Sequence, residues 1–172
     1  MSTLEPLMSS ENEHWNTPDE VLSVIRRFGP IGLDPCSNEG SRVGARVNLL
    51  LTNGQNGLDE NWVDLTDPAE TIFVNPPYGK EQIPFVHKCL TSGYSRPVFL
   101  LVPARPDTKI WQEVILPHAD ICFIKGRLKF VGAAHPAPFP SALVLFGSRW
   151  HNRNVKYMLS TLGHVVLQGL EE

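Results

Sequence analysis

Short runs of apolar residues recur along the chain and predict strands that are buried on both faces of a sheet. The clearest are residues 71–74, which are β-branched and aromatic, and residues 97–102, which are apolar without interruption. Runs of this length without polar alternation are typical of parallel sheets covered on both sides. Weaker runs of the same kind predict further strands at residues 31–33, 47–51, 119–124, 128–131 and 142–146.

Helical patterns lie between these runs. The segment Thr17-Pro18-Asp19-Glu20 has the form of a capping box, with Thr at the N-cap, Pro at the first helical position and Glu at N3. The helix that begins there is expected to end at Gly29-Pro30. A broken helical stretch follows around residues 81–91, and Asp107 can cap a third helix. The order of elements predicts an α/β sheet, mostly parallel, with an antiparallel edge.

The length of 172 residues fits one domain, so we expect a flexible leader over residues 1–14 and a single domain over residues 15–172. Hydrophobic residues make up 42 % and charged residues 19 % of the chain, a composition that excludes disordered and coiled-coil classes. No apolar run approaches the roughly 20 residues that cross a bilayer, and the polar start lacks a secretory signal. We therefore expect no membrane partner and a cytoplasmic location.

The formal net charge of −3 argues against a protein that grips nucleic acid over its whole surface, because such domains usually carry a basic excess. Charge is nevertheless segregated along the chain. Residues 1–25 contain five acids and no Lys or Arg, whereas Arg149, Arg153 and Lys156 cluster without an intervening acid. Local basic patches are therefore compatible with the composition.

Two polar segments follow predicted strands, Asp34-Pro35-Cys36-Ser37 and Asn75-Pro76-Pro77-Tyr78. Because ligands of open α/β sheets bind beyond the carboxyl ends of the strands, we expect both segments at one edge of the sheet. The second segment is the strongest motif in the chain. Its two prolines explain why the strand ends, but a rigid turn does not by itself require the flanking Asn and Tyr.

The Asn75 segment has the chemistry needed to activate the exocyclic amine of adenine, whose lone pair is delocalised into the ring. The Asn75 side-chain oxygen and the Pro76 carbonyl, held rigid by the two prolines, can accept both amine hydrogens and position the nitrogen against a methyl donor. Tyr78 can stack on the base. A base inside a duplex cannot reach such a pocket, so a target adenine in double-stranded DNA would have to be flipped out.

Taken in order, the motifs of this chain resemble those of the phage DNA N6-adenine methyltransferases, which are Dam-type enzymes. The resemblance covers about residues 15–147. The motifs that carry it are Trp15-x-Thr17-Pro18, Leu33-Asp34-Pro35-Cys36, Gly57-Leu58 with Trp62, the run from Phe73 to Gly79, Pro103-Ala104-Arg105-x-Asp107-Thr108, and Gly126-Arg127-Leu128-x-Phe130.

This resemblance implies a Rossmann-like fold that uses S-adenosylmethionine to methylate the N6 amine of adenine without a metal, in the host cytoplasm if a phage encodes it. It implies that the catalytic residues are Asn75, Pro76, Pro77 and Tyr78. It also implies that the cofactor contacts Trp15, Thr17, Pro18, Asp34, Pro35 and Asn75, with Asn75 bridging the cofactor and the base. A Trp before a helix is equally consistent with a hydrophobic contact to the core.

The chain departs from the usual pattern of this fold between Asp34 and Asn75. No G-x-G turn follows Asp34, and only about 40 residues separate the two positions, whereas two complete βαβ crossovers would take roughly 60. This spacing favours a first half that lacks a strand or a helix. The acid that would hold the ribose of the cofactor is Asp59 as first choice and Asp64 as second. There is no room for a separate target-recognition domain, so we expect short sequence specificity set by loops.

Cations near two predicted strand ends are candidates for contacts with DNA phosphates: Arg105, Lys109, Arg127 and Lys129, with Lys125 beside them. The six histidines and three cysteines show no metal-ligand spacing, so we expect no metal and reduced thiols. We expect a monomer or a weak dimer.

Two alternative functions stay open at this point. N-P-P-Y segments also occur in methyltransferases that act on RNA or on protein glutamine, where the acceptor is again a planar nitrogen. The second alternative is a catalytically inactive, methyltransferase-like protein that binds DNA or a protein partner, which the missing G-x-G turn suggests.

Overall fold

A computed structural model describes residues 15–147 and 154–169 of the chain. The expected leader, residues 1–14, lies outside the described residues, as do Arg149 and Arg153 of the basic cluster. In the part of the chain that is described, every helix is too short or too polar to cross a membrane.

Helices and strands alternate in the first two thirds of the chain, and strands predominate after that. The helices are α1 (Asp19–Phe28), α2 (Gln82–Gly93), α3 (Leu116–His118) and α4 (Val155–Ser160), and a π-helical turn, Trp111–Ile115, leads into α3. The strands are β1 (Ile31–Ser37), β2 (Val47–Leu50), β3 (Thr71–Val74), β4 (Val98–Pro103), β5 (Ala119–Ile124), β6 (Ser141–Phe146) and β7 (Gly163–Val166). Short 3-10 turns cover Leu51–Asn53 and Gly79–Glu81.

These seven strands form one sheet in the order β2-β1-β3-β4-β6-β5-β7. β2, β1, β3 and β4 pair in parallel, whereas β6 is antiparallel to both of its neighbours and β7 is antiparallel to β5. The predicted mixed α/β sheet, parallel first and antiparallel later, is confirmed. The antiparallel strand β6 lies inside the sheet, however, and only β7 extends its edge.

The sheet separates two apolar cores. Side chains such as Phe73 and Leu145 pack on one face with α1 and α4. Side chains such as Ile72 and Val144 pack on the other face with α2 and the helical turns before β5. Because the central strands are buried on both faces, they show no polar alternation. Between β1 and β3, residues 38–70 contain a 3-10 turn but no α-helix, which is the region where the short spacing predicted missing elements.

The first strand is longer than the sequence predicts. Residues 34–37 were expected as a loop, but β1 continues through Ser37 and pairs with β2. The pairing shifts register between Asp34 and Ser37. Pro35 has no N–H to donate, so it fits this irregular position better than a regular ladder position.

The predicted strand at residues 128–131 is wrong. Leu128 and Phe130 are buried in alternation, as in a strand, but this segment forms only an isolated bridge between Asn16 and Val131. β5 already has β6 and β7 as neighbours, so the sheet offers no free edge there. The Leu128 carbonyl instead accepts a hydrogen bond from Ala137 N at 2.7 Å.

Helix α1 forms as predicted, but the predicted capping box does not. Pro18 takes the N-cap position, no side chain caps the helix, and the Pro18 carbonyl accepts a hydrogen bond from Val21 N at 3.1 Å. Thr17 is buried outside the helix, and its hydroxyl has a different partner, described below.

Candidate active site

A cavity of about 960 Å³ opens at the sheet edge where β1 and β3 end. Because these two strands are parallel neighbours, Asp34 in β1 and Asn75 after β3 reach the same space. A second cavity, of about 320 Å³, lies beside Tyr94 and His118, before the amino ends of β4 and β5. None of the predicted site residues lines that second cavity.

The side-chain amide of Asn75 is held in one orientation. Its Nδ2 donates to the Trp15 carbonyl at 2.8 Å and to Thr17 Oγ1 at 3.2 Å. A carbonyl oxygen can only accept, so the nitrogen of the amide has to face Trp15. Oδ1 therefore faces the other way and accepts a hydrogen bond from the Tyr78 hydroxyl at 3.3 Å. This oxygen has a second lone pair for a further donor.

Four aromatic rings pack together beside Asn75. Tyr78 lies 5.3 Å from Phe139 and 6.1 Å from Trp15, measured between ring centres. Phe130 meets Trp15 edge to face at 5.0 Å. Burial raises the pKa of the Tyr78 hydroxyl well above its usual value, so this group stays protonated and remains a donor. We refer to Trp15, Tyr78, Phe130 and Phe139 as the aromatic cluster.

Asp34 is a buried carboxylate in the cavity wall. Its side chain accepts hydrogen bonds from Cys36 N at 3.1 Å and from Ser41 Oγ at 3.3 Å. Burial raises the pKa of Asp34 to about 6, and these hydrogen bonds oppose the increase because they stabilise the charged form. Most molecules therefore carry the charge at neutral pH.

The charged side chains that line the cavity are both acidic. They are Asp34 and Glu81, and no Lys, Arg or His is among the described residues that form its walls. The rest of the lining is neutral: amides and hydroxyls on the β1 and β2 sides, and prolines and aromatic rings on the β3 side. This distribution favours a ligand with positive charge and disfavours one that carries phosphates.

The Gly57-Leu58 pair forms the wall next to β1. A side chain at residue 57 would collide with the Pro35 carbonyl oxygen, so the close approach of these two backbones requires glycine. Trp62 is fully buried behind this wall, and its indole Nε1 donates to the Gly57 carbonyl at 2.6 Å. The spacing of Gly57 and Trp62 in the sequence thus has a structural basis.

Most of the predicted site residues meet in the cavity, and a few do not. Those that line it are Trp15, Thr17, Asp34, Pro35, Asn75, Pro76, Pro77 and Tyr78. Pro18 lies outside the lining at the start of α1. Asp59 and Asp64 are exposed and do not line the cavity either, so the structure offers neither one as a ribose ligand. The polar side chains that follow β2 in the lining are Thr52, Gln55 and Asn56.

The predicted phosphate-binding cations are exposed and lie outside the cavity. Lys109 is 3.9 Å from Glu113 on the next helical turn, a neighbour that offsets its charge. Arg127 and Lys129 alternate with the buried Leu128 and Phe130, and Lys125 precedes them beside the exposed Gly126. Phe130 belongs to the aromatic cluster, so Lys125, Arg127 and Lys129 lie on the segment that packs against the site.

Several cavity residues were not predicted from the sequence. Phe139 and Pro138 come from the loop before β6, Asn16 and Asn38 come from other loops, and Glu81 ends the 3-10 turn after Tyr78. Asn38 Nδ2 donates to Asn16 Oδ1 at 2.8 Å and thereby joins the two sides of the cavity mouth. The prolines on either side of Phe139 were the sequence feature from which this loop could have been recognised as part of the site. No group of three or more His, Cys, Asp or Glu that could hold a metal ion occurs among residues 15–147 and 154–169.

Comparison with known proteins identifies one family. A family model described as DNA N-6-adenine-methyltransferase (Dam) matches residues 5–159, which is most of the chain. No curated protein matches the chain.

Proposed function

Because this chain belongs to the DNA N-6-adenine-methyltransferase (Dam) family, we propose that it transfers a methyl group from S-adenosylmethionine to the N6 amine of a flipped adenine in double-stranded DNA. We also propose that its seven-stranded sheet is a Rossmann-like methyltransferase sheet with a reduced first half. The observation that carries the proposal is the fixed amide of Asn75, whose two donor bonds turn its oxygen toward the space beside Tyr78.

The chain's own residues supply acceptors for the target amine. Asn75 Oδ1 and the Pro76 carbonyl accept the two amine hydrogens and draw the nitrogen lone pair out of conjugation with the ring. Because the Asn75 amide is already oriented by its hydrogen bonds, little reorganisation of this acceptor is needed when the base enters. After the transfer, the methylated nitrogen has to release one proton. The N–H that carries this proton donates to Asn75 until the proton passes to solvent. When bound, S-adenosylmethionine would supply a methyl group carried on a cationic sulfur, which would leave as a neutral thioether.

The cavity fits S-adenosylmethionine in size and in charge. Its volume of about 960 Å³ is at the upper end of small-molecule sites, which leaves room for a cofactor and a base together. Asp34 and Glu81 are anionic partners for the ammonium and the sulfonium of this cofactor. A nucleotide cofactor with phosphates would find no cationic side chain in the described lining. Trp15, Thr17 and Pro35 complete the proposed cofactor contacts.

Tyr78 and the other rings of the aromatic cluster are proposed to hold the flipped base. Stacking on such rings is worth about 1–3 kcal/mol per base, enough to repay part of the cost of flipping. Outside the cavity, Arg127 and Lys129 are the proposed phosphate contacts, with Arg105 and Lys109 as further candidates. We propose that the loops that carry these cations set a short target sequence.

Methyl transfer from labelled S-adenosylmethionine to unmethylated duplex DNA tests the proposal. The product is digested to nucleosides and identified by mass, beside the variant Asn75→Ala and the matched control Asn53→Ala, which changes an exposed asparagine outside the cavity lining. We expect N6-methyladenine from the wild type and the control, and turnover at least about 100-fold lower for Asn75→Ala.

The other outcomes separate the alternatives. Wild-type turnover in Asn75→Ala would remove Asn75 from the catalytic step. If the wild type binds the cofactor but modifies only RNA or protein, that substrate, and not DNA, is the methyl acceptor. If the wild type is folded but does not bind the cofactor, the result would favour a catalytically inactive, methyltransferase-like protein that binds DNA or a protein partner.

A further inference from the structure

The Gly57-Leu58 wall of the cavity has no regular secondary structure to hold it. It lies in the long segment between β2 and β3, where the described residues contain turns only. Gly57 touches the end of β1 at Pro35, and the side of the pair away from β1 faces α2. The position of this wall therefore depends on contacts from other elements.

Lys88 on α2 reaches this wall from behind, without lining the cavity itself. Its Nζ donates to the Leu58 carbonyl at 2.6 Å and lies 5.3 Å from the centre of the Trp62 ring. Trp62 in turn donates to the Gly57 carbonyl. The two carbonyls of the wall are thus held by one ammonium and by the indole on which that ammonium rests.

The same helix connects the wall with the catalytic loop. α2 follows Tyr78 after one 3-10 turn, and Phe85, one helical turn before Lys88, lies in the cavity lining and stacks near Trp62 with ring centres 6.5 Å apart. Burial lowers the pKa of Lys88, whereas Asp59 and Glu60 favour its charged form. These two exposed acids therefore support the charge of Lys88.

We infer that Lys88 is a positioning residue for the cofactor: it fixes the Gly57-Leu58 wall against β1 and so shapes the part of the cavity next to Asp34. The inference rests on the proposed function, because the wall matters for activity only if S-adenosylmethionine binds there. Lys88 does not line the cavity, so its loss should change cofactor binding through the wall rather than the chemical step.

Two substitutions test this role. Lys88→Met keeps the aliphatic stem but removes the charge and the donor, and Lys88→Arg restores both. Lys156→Met on α4 is the matched control for loss of an exposed lysine. We expect Lys88→Met to weaken S-adenosylmethionine binding about tenfold in calorimetry and to raise its KM equally, with kcat at saturating cofactor within about twofold of wild type. Lys88→Arg should bind nearly as well as wild type.

Hydrogen exchange of the free proteins gives a readout that does not depend on the cofactor. Amides of residues 56–63 should exchange faster in Lys88→Met, and at the wild-type rate in Lys88→Arg and Lys156→Met. The inference would be overturned if the wild type binds the cofactor and Lys88→Met shows the same hydrogen exchange and the same cofactor affinity. That result would leave the proposed function intact. Absence of cofactor binding by the wild type would overturn the proposed function, and exchange would still decide whether Lys88 holds the wall.

Discussion

Two segments beside the cavity have opposite character. The segment of residues 34–62, which we call the acidic segment, carries four acids and two arginines, and its key acid, Asp34, is buried. The segment of residues 125–140, which we call the basic segment, carries three cations and no acid, and all three cations are exposed. One segment therefore holds negative charge inside the cavity, and the other holds positive charge at the surface.

This contrast matches the proposed ligands. A cationic cofactor needs a few anionic partners in a dry cavity, where each interaction is strong. A DNA backbone needs cations at the surface, where contacts are weak singly and depend on salt. The net charge of −3 is a total over the whole chain, in which such local differences cancel, and this is why the total charge says little about its partners.

Tyr78 lines the same cavity as Asp34 and packs against Phe130 and Phe139 of the basic segment, so its replacement gives the largest expected effect among the variants that compare the two segments. Tyr78→Ala removes the ring that is proposed to stack on the base, and it should reduce the single-turnover rate on duplex DNA by about 10- to 100-fold. Tyr78→Phe keeps the ring but loses the hydrogen bond to Asn75 Oδ1, so it should cost only a few-fold. Equal losses in both variants would show that the hydroxyl, and not the ring, is the essential part.

Asp34→Asn tests the acidic segment alone. The variant keeps the shape of the side chain and loses its charge, so S-adenosylmethionine binding should weaken about 30-fold in calorimetry. DNA affinity, measured by fluorescence anisotropy without cofactor, should stay within twofold of wild type. A parallel loss of DNA affinity would mean that the two segments are not independent.

The same carboxyl group predicts a pH dependence of stability. Burial raises the pKa of Asp34 from 3.8 to about 6, so the folded protein takes up a proton that the unfolded chain releases. The contribution of Asp34 to the free energy of unfolding should therefore fall as the pH rises from about 4 to about 6, by an amount on the order of 2–3 kcal/mol. Urea unfolding of wild type and Asp34→Asn across this range checks it. If the free energy of unfolding changed with pH by the same slope in both proteins, the pH dependence could not be assigned to Asp34.

Arg127→Gln with Lys129→Gln tests the basic segment alone. We expect DNA affinity to fall about tenfold at moderate salt and the slope of log K against log salt to decrease by about 2, because two phosphate contacts are lost. Cofactor affinity should not change. Lys156→Gln is the control for loss of an exposed cation. An unchanged salt slope would exclude these two cations from the DNA interface.

Thr17→Val should give the smallest effect. It removes the hydroxyl that accepts from Asn75 Nδ2 but leaves the Trp15 carbonyl as the second acceptor, so turnover should fall about fivefold. Thr17→Ser should restore most of the rate. Equal rates for Thr17→Val and wild type would show that the Trp15 carbonyl alone orients the amide.

Strongly patterned elements were predicted well and weakly patterned ones were not. β3, β4 and α1 were expected within one or two residues, because each is an uninterrupted apolar run or an amphipathic repeat with clear end signals. α4 and β7 were not predicted, since residues 155–166 have neither feature. Residues 128–131 carry a strand pattern that the completed sheet leaves without an edge to pair with.

Local sequence patterns were enough to predict the Asn75-Pro76-Pro77-Tyr78 turn after β3, the buried strands that present it, and the acid in β1. These features follow from apolar periodicity and from proline, which act over a few residues. The folded structure was needed to show that Thr17 and Trp15 orient Asn75, which is 58 and 60 residues further along the chain. It also decided that Lys88 holds the cavity wall and that Asp59 stands outside the cavity. Hydrogen-bond partners so far apart in sequence become neighbours only when the whole chain has folded around the sheet, and no local pattern encodes that.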